Sequence, residues 1–359
     1  MIGHIRQPGC LPIGIDIGSS GVRLLQLRHR RGRLSLVAAT KAERDGGDGQ
    51  LSDTTCVALA DEIQHRVNAT GFIGRECVLS LDDRLLRVRA VRQVAMNDDE
   101  VSRSIAHDCR QRLGYRDEDS DIEVDWLRAG EVRQGDAVND EIILVGTRRD
   151  PLERLILEIA RRGLRPLAVE PGFVAAGRCF SRRYRRASDN DCVRVLVDIG
   201  RVSTGVTLLR GCQVVFHKPL AIGGARMTAA AAERLGIEEA TVQDLRRQRK
   251  TATLAGKESP LEYRVDRAIF EAVRPLMDEL AQELSLCLRY YGVTFRGSRP
   301  ERCVLVGGEA GEPKLADFLR DALHLETEVG HPLSDVTAGS FSGRAERDLA
   351  GPEWAVAAG

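Results

Sequence analysis

Apolar and polar positions along this chain repeat one local pattern in two places. Ile13, Ile15 and Ile17 form a short apolar strand interrupted by Asp16 and stopped by Gly18. Ser19, Ser20 and Gly21 turn the chain, and residues 22–27 resume a strand. A second turn at Arg31 and Gly32 leads into residues 34–39, so three consecutive strands with tight turns are predicted. The theme returns at residues 193–200, an apolar strand ending in Asp198-Ile199-Gly200. Residues 201–204 turn the chain into a strand over 205–209, and Arg210-Gly211 turns it again into residues 213–217. The two Asp-Ile-Gly triplets stand at the same point of a strand–turn–strand–turn–strand unit, which predicts an internal duplication on the scale of a domain.

Between these units the periodicity changes. Val57, Ala60, Ile63 and Val67 have helical spacing over residues 54–69, with Gly71 placed as the residue past the helix end. Leu86, Val88 and Ala90 alternate with arginines as in a half-exposed strand. Asn97, with Glu100 three residues later, caps a helix whose stripe is Val101, Ile105, Cys109 and Leu113. Strands are predicted over 122–127, 142–145 and 164–169. Asp150-Pro151 starts a helix closed by Gly163, and Pro171 opens another. The charged stretch 182–191 reads as a linker. Beyond the second unit, helices are predicted over 227–235, 238–247 and 262–290, the last with Pro275 as a kink site. A buried strand over 303–306, a Gly307-Gly308 turn and a helix over 313–323 follow.

Composition narrows the function classes. Of the 359 residues 43% are hydrophobic and 30% charged, which suits a folded chain of two or three domains. Lys+Arg and Asp+Glu both number 53, so no global field draws in nucleic acid or an anionic membrane. Aromatics at 4% argue against a base-stacking platform. Nine cysteines are scattered singly without a C-x-x-C pair, as expected of reduced thiols in a cytosolic protein. No signal-peptide pattern and no apolar run of spanning length is seen, so any link to a membrane is expected through a partner.

The paired hairpins suggest phosphate. Small residues at a strand turn expose successive backbone N–H groups, which converge on an anion with no Cβ in the way, and Ser and Thr hydroxyls add donors. An Asp at the strand end suits a hydrated Mg²⁺, which keeps several waters and takes one or two carboxylates. Two such hairpins facing each other would clamp the phosphates of one nucleotide, with Gly307-Gly308 a third bare-backbone approach. No G-x-x-x-x-G-K-[ST] motif occurs, so a P-loop NTPase is not expected.

On these residues the chain resembles the actin-like ATPase superfamily, and within it the PilM-like type IV pilus assembly proteins, with a similar likeness to FtsA. GIDIGSSGVRLLQL (14–27) and LVDIGRVSTGVTLL (196–209) are similar to the two phosphate loops, AIGGARMTAAAAERLGI (221–237) to the connecting segment, and VLVGGEAGEPKLADFLRDAL (304–323) to the adenosine-side turn. The resemblance implies an α/β fold of duplicated actin-like (ribonuclease H-like) domains around a nucleotide cleft. Residues 10–76 with 171–186 would form the first domain, 77–170 a small inserted α+β subdomain and 192–359 the second domain. It also implies ATP and Mg²⁺ as ligands. Asp16 and Asp198 would hold Mg²⁺ through water. Gly18, Ser19, Ser20, Gly200, Ser203, Thr204 and Gly223 would lie at the phosphates, Gln243 and Arg246 on the ribose side, and Gly307 and Gly308 at the adenosine. The implied partner is the cytoplasmic N-terminal segment of a single-span inner-membrane assembly protein, bound as an extended peptide near the insert, with self-association a further option.

That implies a cytoplasmic ATP-binding scaffold of a pilus or related secretion machine, reaching the inner face of the inner membrane through its partner and turning over ATP slowly at most, since no general base is evident. Arg201 stands where a small residue is usual and would either neutralise phosphate or obstruct it. Glu309 replaces part of a glycine turn and would put a carboxylate near the nucleotide. Residues 354–359 read as the start of a last helix. Three other readings stay open: a degenerate scaffold without nucleotide, a small-molecule kinase of the same superfamily, and an FtsA-like filament protein. His65, His107, the acidic set Glu43, Asp45, Asp48 and Asp53, and the basic runs 28–31 and 182–186 read as solvated or core residues.

Overall fold

The computed structural model describes residues 9–44, 51–116, 121–134, 137–182, 184, 186–295, 297–337 and 351–359. Asp45, Asp48, Arg183 and Arg185, of the two charged runs, lie outside them. The first half opens with an antiparallel meander of β1 (Ile13–Gly18), β2 (Gly21–Arg30) and β3 (Arg33–Glu43). Helix α1 (Asp53–Ala69) starts where Ser52 Oγ accepts the Thr55 N–H at 3.2 Å, and it buries Cys56, Leu59, Ala60, Ile63 and Val67. It ends at Thr70 in an extended conformation, whose N–H returns to the Arg66 carbonyl, so Gly71 supplies no left-handed cap. Strand β4 (Glu76–Leu81) then pairs parallel with β1.

A small unit leaves the first sheet at this point. After a 3-10 turn (Asp83–Leu85) come β5 (Arg87–Val94), α2 (Asp98–Arg112), β6 (Ile122–Gln134) and β7 (Ala137–Arg148), with sheet order β5-β7-β6. The Asn97–Glu100 capping box forms as the sequence predicts, and Val101 and Ile105 of α2 pack on Ile142 and Leu144. The chain returns through α3 (Arg149–Arg161), where Pro151 falls in the first turn and removes no intrahelical bond. Strand β8 (Arg165–Pro171) then pairs parallel with β4. Residues 77–81 and 165–170, within the 77–170 block of the sequence division, are thus hydrogen-bonded into the first sheet. Helix α3 likewise buries Leu155 and Ile159 against the first half, in one cluster with Ile63 of α1 and Leu79 of β4.

Helix α4 (Gly172–Ser181) crosses to the second half, which repeats the meander with β9 (Val193–Ile199), β10 (Thr204–Arg210) and β11 (Gln213–Leu220). Helices α5 (Gly224–Leu235), α6 (Glu239–Leu254) and α7 (Tyr263–Phe295) follow, and Pro275 sits inside α7 without ending it. Strand β12 (Arg302–Val306) pairs parallel with β9 as β4 does with β1, and α8 (Leu315–Leu323) and β13 (Thr327–Val329) complete a sheet of order β11-β10-β9-β12-β13. Strand β14 (Val336–Thr337) crosses back to pair with β3, giving the first sheet the order β14-β3-β2-β1-β4-β8. The second core forms around Ile269, Val273, Met277, Leu280 and Leu284 of α7.

Two contacts fix the halves against each other. A turn at 351–359 packs Trp354 and Ala357 on Leu25 and Leu27 of β2, and Ala355 and Val356 on Leu196, Val304 and Val306 of the second sheet. The predicted last helix is only a 3-10 turn (Pro352–Trp354) followed by a single i→i+4 bond from the Ala358 N–H to the Trp354 carbonyl at 3.0 Å. The small unit, meanwhile, leans on the second half. Val88, Ala129, Ile143 and Val145 share a cluster with Phe173, and Val214 and Phe295 pack against it. Tyr290 donates its hydroxyl to Glu141 Oε1 at 2.6 Å.

Gly14 of β1 lies directly against the Ala357 carbonyl, where an added Cβ would overlap the oxygen. Gly14→Ala is therefore expected to lower stability by about 1–3 kcal/mol, the usual cost of overpacking. Urea unfolding checks this; an unchanged midpoint would show that the 351–359 turn yields freely.

Candidate functional site

The duplicated hairpins meet across the gap between the two sheets. At the first, Gly18 to Gly21 turn β1 into β2, with Gly21 at φ +153° packed on the Ala42 carbonyl. Asp16 and Arg23 stand opposite each other in the hairpin register, so their side chains project from the same face. Arg23 Nη1 donates to Asp16 Oδ2 at 3.2 Å and Nη2 to Ser20 Oγ at 3.3 Å, while its buried Nε has no acceptor. At the second hairpin the Gly200 N–H donates to the Ser203 carbonyl at 2.9 Å and closes the turn. A Cβ at Gly200 would stand 3.9 Å from Ser19 Oγ, so the two loop tips face each other at close range.

The third approach is the end of β12. Gly307 has φ +89°, and a side chain there would overlap Asp198 Oδ1 and the Ile199 carbonyl. Only glycine lets this backbone lie over the second aspartate. A Cβ at Gly308 would be 3.8 Å from Arg23 Nη2 of the opposite half. The cleft so formed measures about 490 Å³, a size ordinary for a small-molecule site. Asp16, Gly18, Ser19, Ser20, Asp198, Gly200, Ser203, Gln243, Arg246, Gly307 and Gly308 all line it, and Arg201 lies in its wall without closing it.

Two predicted positions do not line it. Thr204 is fully buried and donates its hydroxyl to the Ile222 carbonyl at 2.6 Å, tying β10 to the segment before α5. Gly223 packs tightly on Val202, where an added Cβ would come within 2.6 Å of the carbonyl carbon. Arg246 lines the cleft, but its guanidinium is taken up elsewhere. It donates to the Gly224 carbonyl and Thr228 Oγ1, each at 2.9 Å, to Glu309 Oε2 at 2.8 Å and to Glu312 Oε2 at 2.7 Å. Arg249 adds a 2.7 Å bond to Glu312 Oε1, and Lys250 reaches Glu309 Oε1 at 2.8 Å. Burial would push the Glu309 carboxyl up, but Lys250 and Arg246 hold it below its ordinary range. Glu309 is thus the anchor of a buried ion network rather than a free carboxylate.

The opposed aspartates govern the electrostatics. Burial pushes the Asp16 carboxyl up to about 6 against the pull of Arg23, with Asp82 raising it further. Asp198 is pushed up to about 7 by burial and then by the charges of Asp16, Asp83 and Asp82. The sequence reading missed Asp82, Asp83 and Arg23. The signal was there: the largely apolar residues 77–81 are followed directly by Asp82 and Asp83, as β1 and β9 carry an aspartate near their ends, and Arg23 follows from hairpin register. Among the described residues no group of three or more His, Cys, Asp or Glu side chains is set to hold a metal directly.

The sequence matches the family described as type IV pilus assembly protein PilM over residues 14–359. The chain belongs to the PilM family. A solved PilM-PilN type IV pilus biogenesis complex contains a chain of similar fold, with a TM-score of 0.77 at 22% identity over 96% of each chain. The ethanolamine utilization protein EutJ from Carboxydothermus hydrogenoformans matches with a TM-score of 0.56 at 14% identity, over 98% of this chain and 89% of that one. The PilM-family fold here is the actin-like one of two duplicated α/β halves around a cleft. No helix among the described residues is long and apolar enough to cross a membrane.

Two outcomes follow from the charges. Both aspartates bind protons more tightly folded than unfolded, against an ordinary value of 3.8. Their protonation stabilises the fold fully below about pH 4, and that stabilisation is lost as pH rises through about 6 and 7. Urea midpoints measured without nucleotide should fall between pH 5 and pH 8 (about the span of both titrations), and Asp198→Asn should flatten the slope. Arg246→Ala, which leaves Glu309 and Glu312 buried without their main partner, should cost about 3–5 kcal/mol. A loss below about 1 kcal/mol in the same assay would mean that Arg249 and Lys250 suffice.

Proposed function

We propose that this PilM-family chain is an ATP-binding scaffold of pilus assembly, in which nucleotide in the cleft sets the relation of the two halves and the small inserted unit receives a membrane partner. The observation that carries the reading is the convergence of two glycine-bearing hairpin tips, Ser19 facing Gly200 at close range, over a pair of aspartates whose carboxyls are raised by desolvation. The residues fit the ligand. Gly18, Gly200, Gly307 and Gly308 leave bare backbone on the lining, Ser19, Ser20 and Ser203 supply hydroxyls, and Arg23 keeps an unused buried donor. Asp16 and Asp198 would hold Mg²⁺ through water, and the ion supplies the positive charge that a triphosphate needs beside two carboxylates. Gln243 and Lys250 lie on the cleft side of α6, where the ribose and adenine would rest, in place of Arg246.

The protein's own part is orientation. Arg23 bridges the first aspartate and Ser20, the Gly200 turn ties to α5 through the Gly224 N–H, and Gly307 caps Asp198. In this reading a bound nucleotide acts mainly as a structural ligand that stabilises the closed form. The partner reading draws on the family and on the inserted sheet, whose outer strands β5 and β6 each end the ladder and offer backbone to an extended segment. The partner expected is the cytoplasmic N-terminal segment of a single-span inner-membrane protein, and PilN is the protein named with PilM in the solved complex.

Isothermal titration with Mg-ATP tests the first part. Binding should appear as heat and as a stabilisation of about 2.7 kcal/mol at a hundredfold excess over Kd, and Asp16→Ala should abolish both. No heat and no thermal shift at millimolar nucleotide would sink the ATP reading.

A further inference from the structure

The first loop does not present all its donors freely. The Ser19 N–H at the tip of the β1–β2 hairpin donates to Asp82 Oδ2 at 3.2 Å. Asp82 stands just past the end of β4. Its other oxygen accepts the Arg84 N–H at 2.9 Å and Arg84 Nε at 3.1 Å, capping the 3-10 turn that opens into β5. The next residue, Asp83, meets His217 Nε2 of β11 at 3.2 Å. His217 is held by Thr207 Oγ1 at 2.9 Å through Nδ1 and stacks on Phe173 with ring centroids 3.8 Å apart. Loop tip, root of the inserted unit and second half are joined through two adjacent aspartates.

We propose that Asp82 is a built-in competitor for the anion loop and ties the inserted unit to its occupancy. The inference rests on reading the cleft as a nucleotide site. A phosphate oxygen and the Asp82 carboxylate need the same Ser19 N–H, and two anions cannot share it without repulsion across a half-enclosed cleft. Nucleotide binding exchanges one anion for the other. Asp82 then leaves the loop, and the cap of the turn at residues 83–85 loses its fixed point at the root of β5. Because binding free energies are reciprocal, whatever holds that root in its released arrangement raises nucleotide affinity by the same factor. A partner segment bound to the inserted unit is the natural source of that bias.

The test compares the full chain with Asp82→Asn and Asp82→Ala, using Mg-ATP calorimetry and amide hydrogen exchange over residues 82–94. Asn keeps an acceptor for the Arg84 N–H and removes the charge; Ala removes both. Both variants should bind Mg-ATP roughly tenfold tighter than wild type, within the usual range of coupling. Amides of 84–94 should exchange faster in wild type once ATP is added, and Asp82→Ala should already exchange fast without it. Equal affinities in all three proteins, with exchange at 84–94 insensitive to ATP, would overturn the competition and leave the ATP reading standing. No heat with any of the three overturns the ATP reading and the competition with it. Should neither variant fold, wild type decides alone: a root equally protected with ATP bound refutes the proposal.

Discussion

Asp16 and Asp198 line one cleft with Arg23 as their one named cationic neighbour, and ionising both, with carboxyls raised to about 6 and about 7, costs the folded state stability. Asp16 and Asp198 come from equivalent strands of the two halves, so the clash is created by the closing of the halves and not by either half alone. Desolvation is the largest cause for both carboxyls; Asp82 raises Asp16 further, and Asp16, Asp83 and Asp82 raise Asp198, while only Arg23 among the named neighbours works against it. The folded state therefore carries an electrostatic demand at its centre. A cation in the cleft would relieve it, and any process that separates the halves would relieve it too.

Packing elsewhere holds the halves closed against that repulsion. The 351–359 turn inserts apolar side chains into both sheets at once, and its approach to β1 depends on the missing Cβ of Gly14. Arg194 of β9 is buried and donates to the Phe180 and Gly211 carbonyls at 2.8 and 2.6 Å, pinning the end of α4 to the second half. The inserted unit adds its own apolar contact to β11 and α7. Closure is thus shared between the cleft's own wall, where Ala355 and Val356 lie, and contacts away from it, and polar groups of both hairpins stay on the lining.

The cations divide into two roles. Arg246, Arg249 and Lys250 are locked to Glu309, Glu312 and Asp266 and brace α6 against the turn after β12. Such buried networks fix geometry more than they add stability, because desolvation offsets much of their Coulomb gain. Gly224 takes part by lacking a Cβ, which would otherwise overlap the Glu309 carboxylate. Arg23 stands at the hairpin tips instead, bonded to Asp16 and Ser20, and like Arg246 it keeps a buried Nε without an acceptor.

Local chemistry made much of this legible in advance. Hairpin turns, the Asn97 capping box and the repeated Asp-Ile-Gly unit depend on residues within a few positions of one another, and the sequence by itself determined them, with the fold family they imply. The membership of β4 and β8 in the first sheet was not legible, because parallel pairing joins residues some 60 to 90 positions apart and leaves no local trace. Nor was the burial of Thr204, the capture of Arg246 by two glutamates, or the arrival of Asp82 at the Ser19 amide. Each of these is decided by which polar group is nearest once distant strands have packed. A hydrogen bond or ion pair forms with whatever partner tertiary structure delivers within about 3 Å, and periodicity along the chain carries no record of that choice.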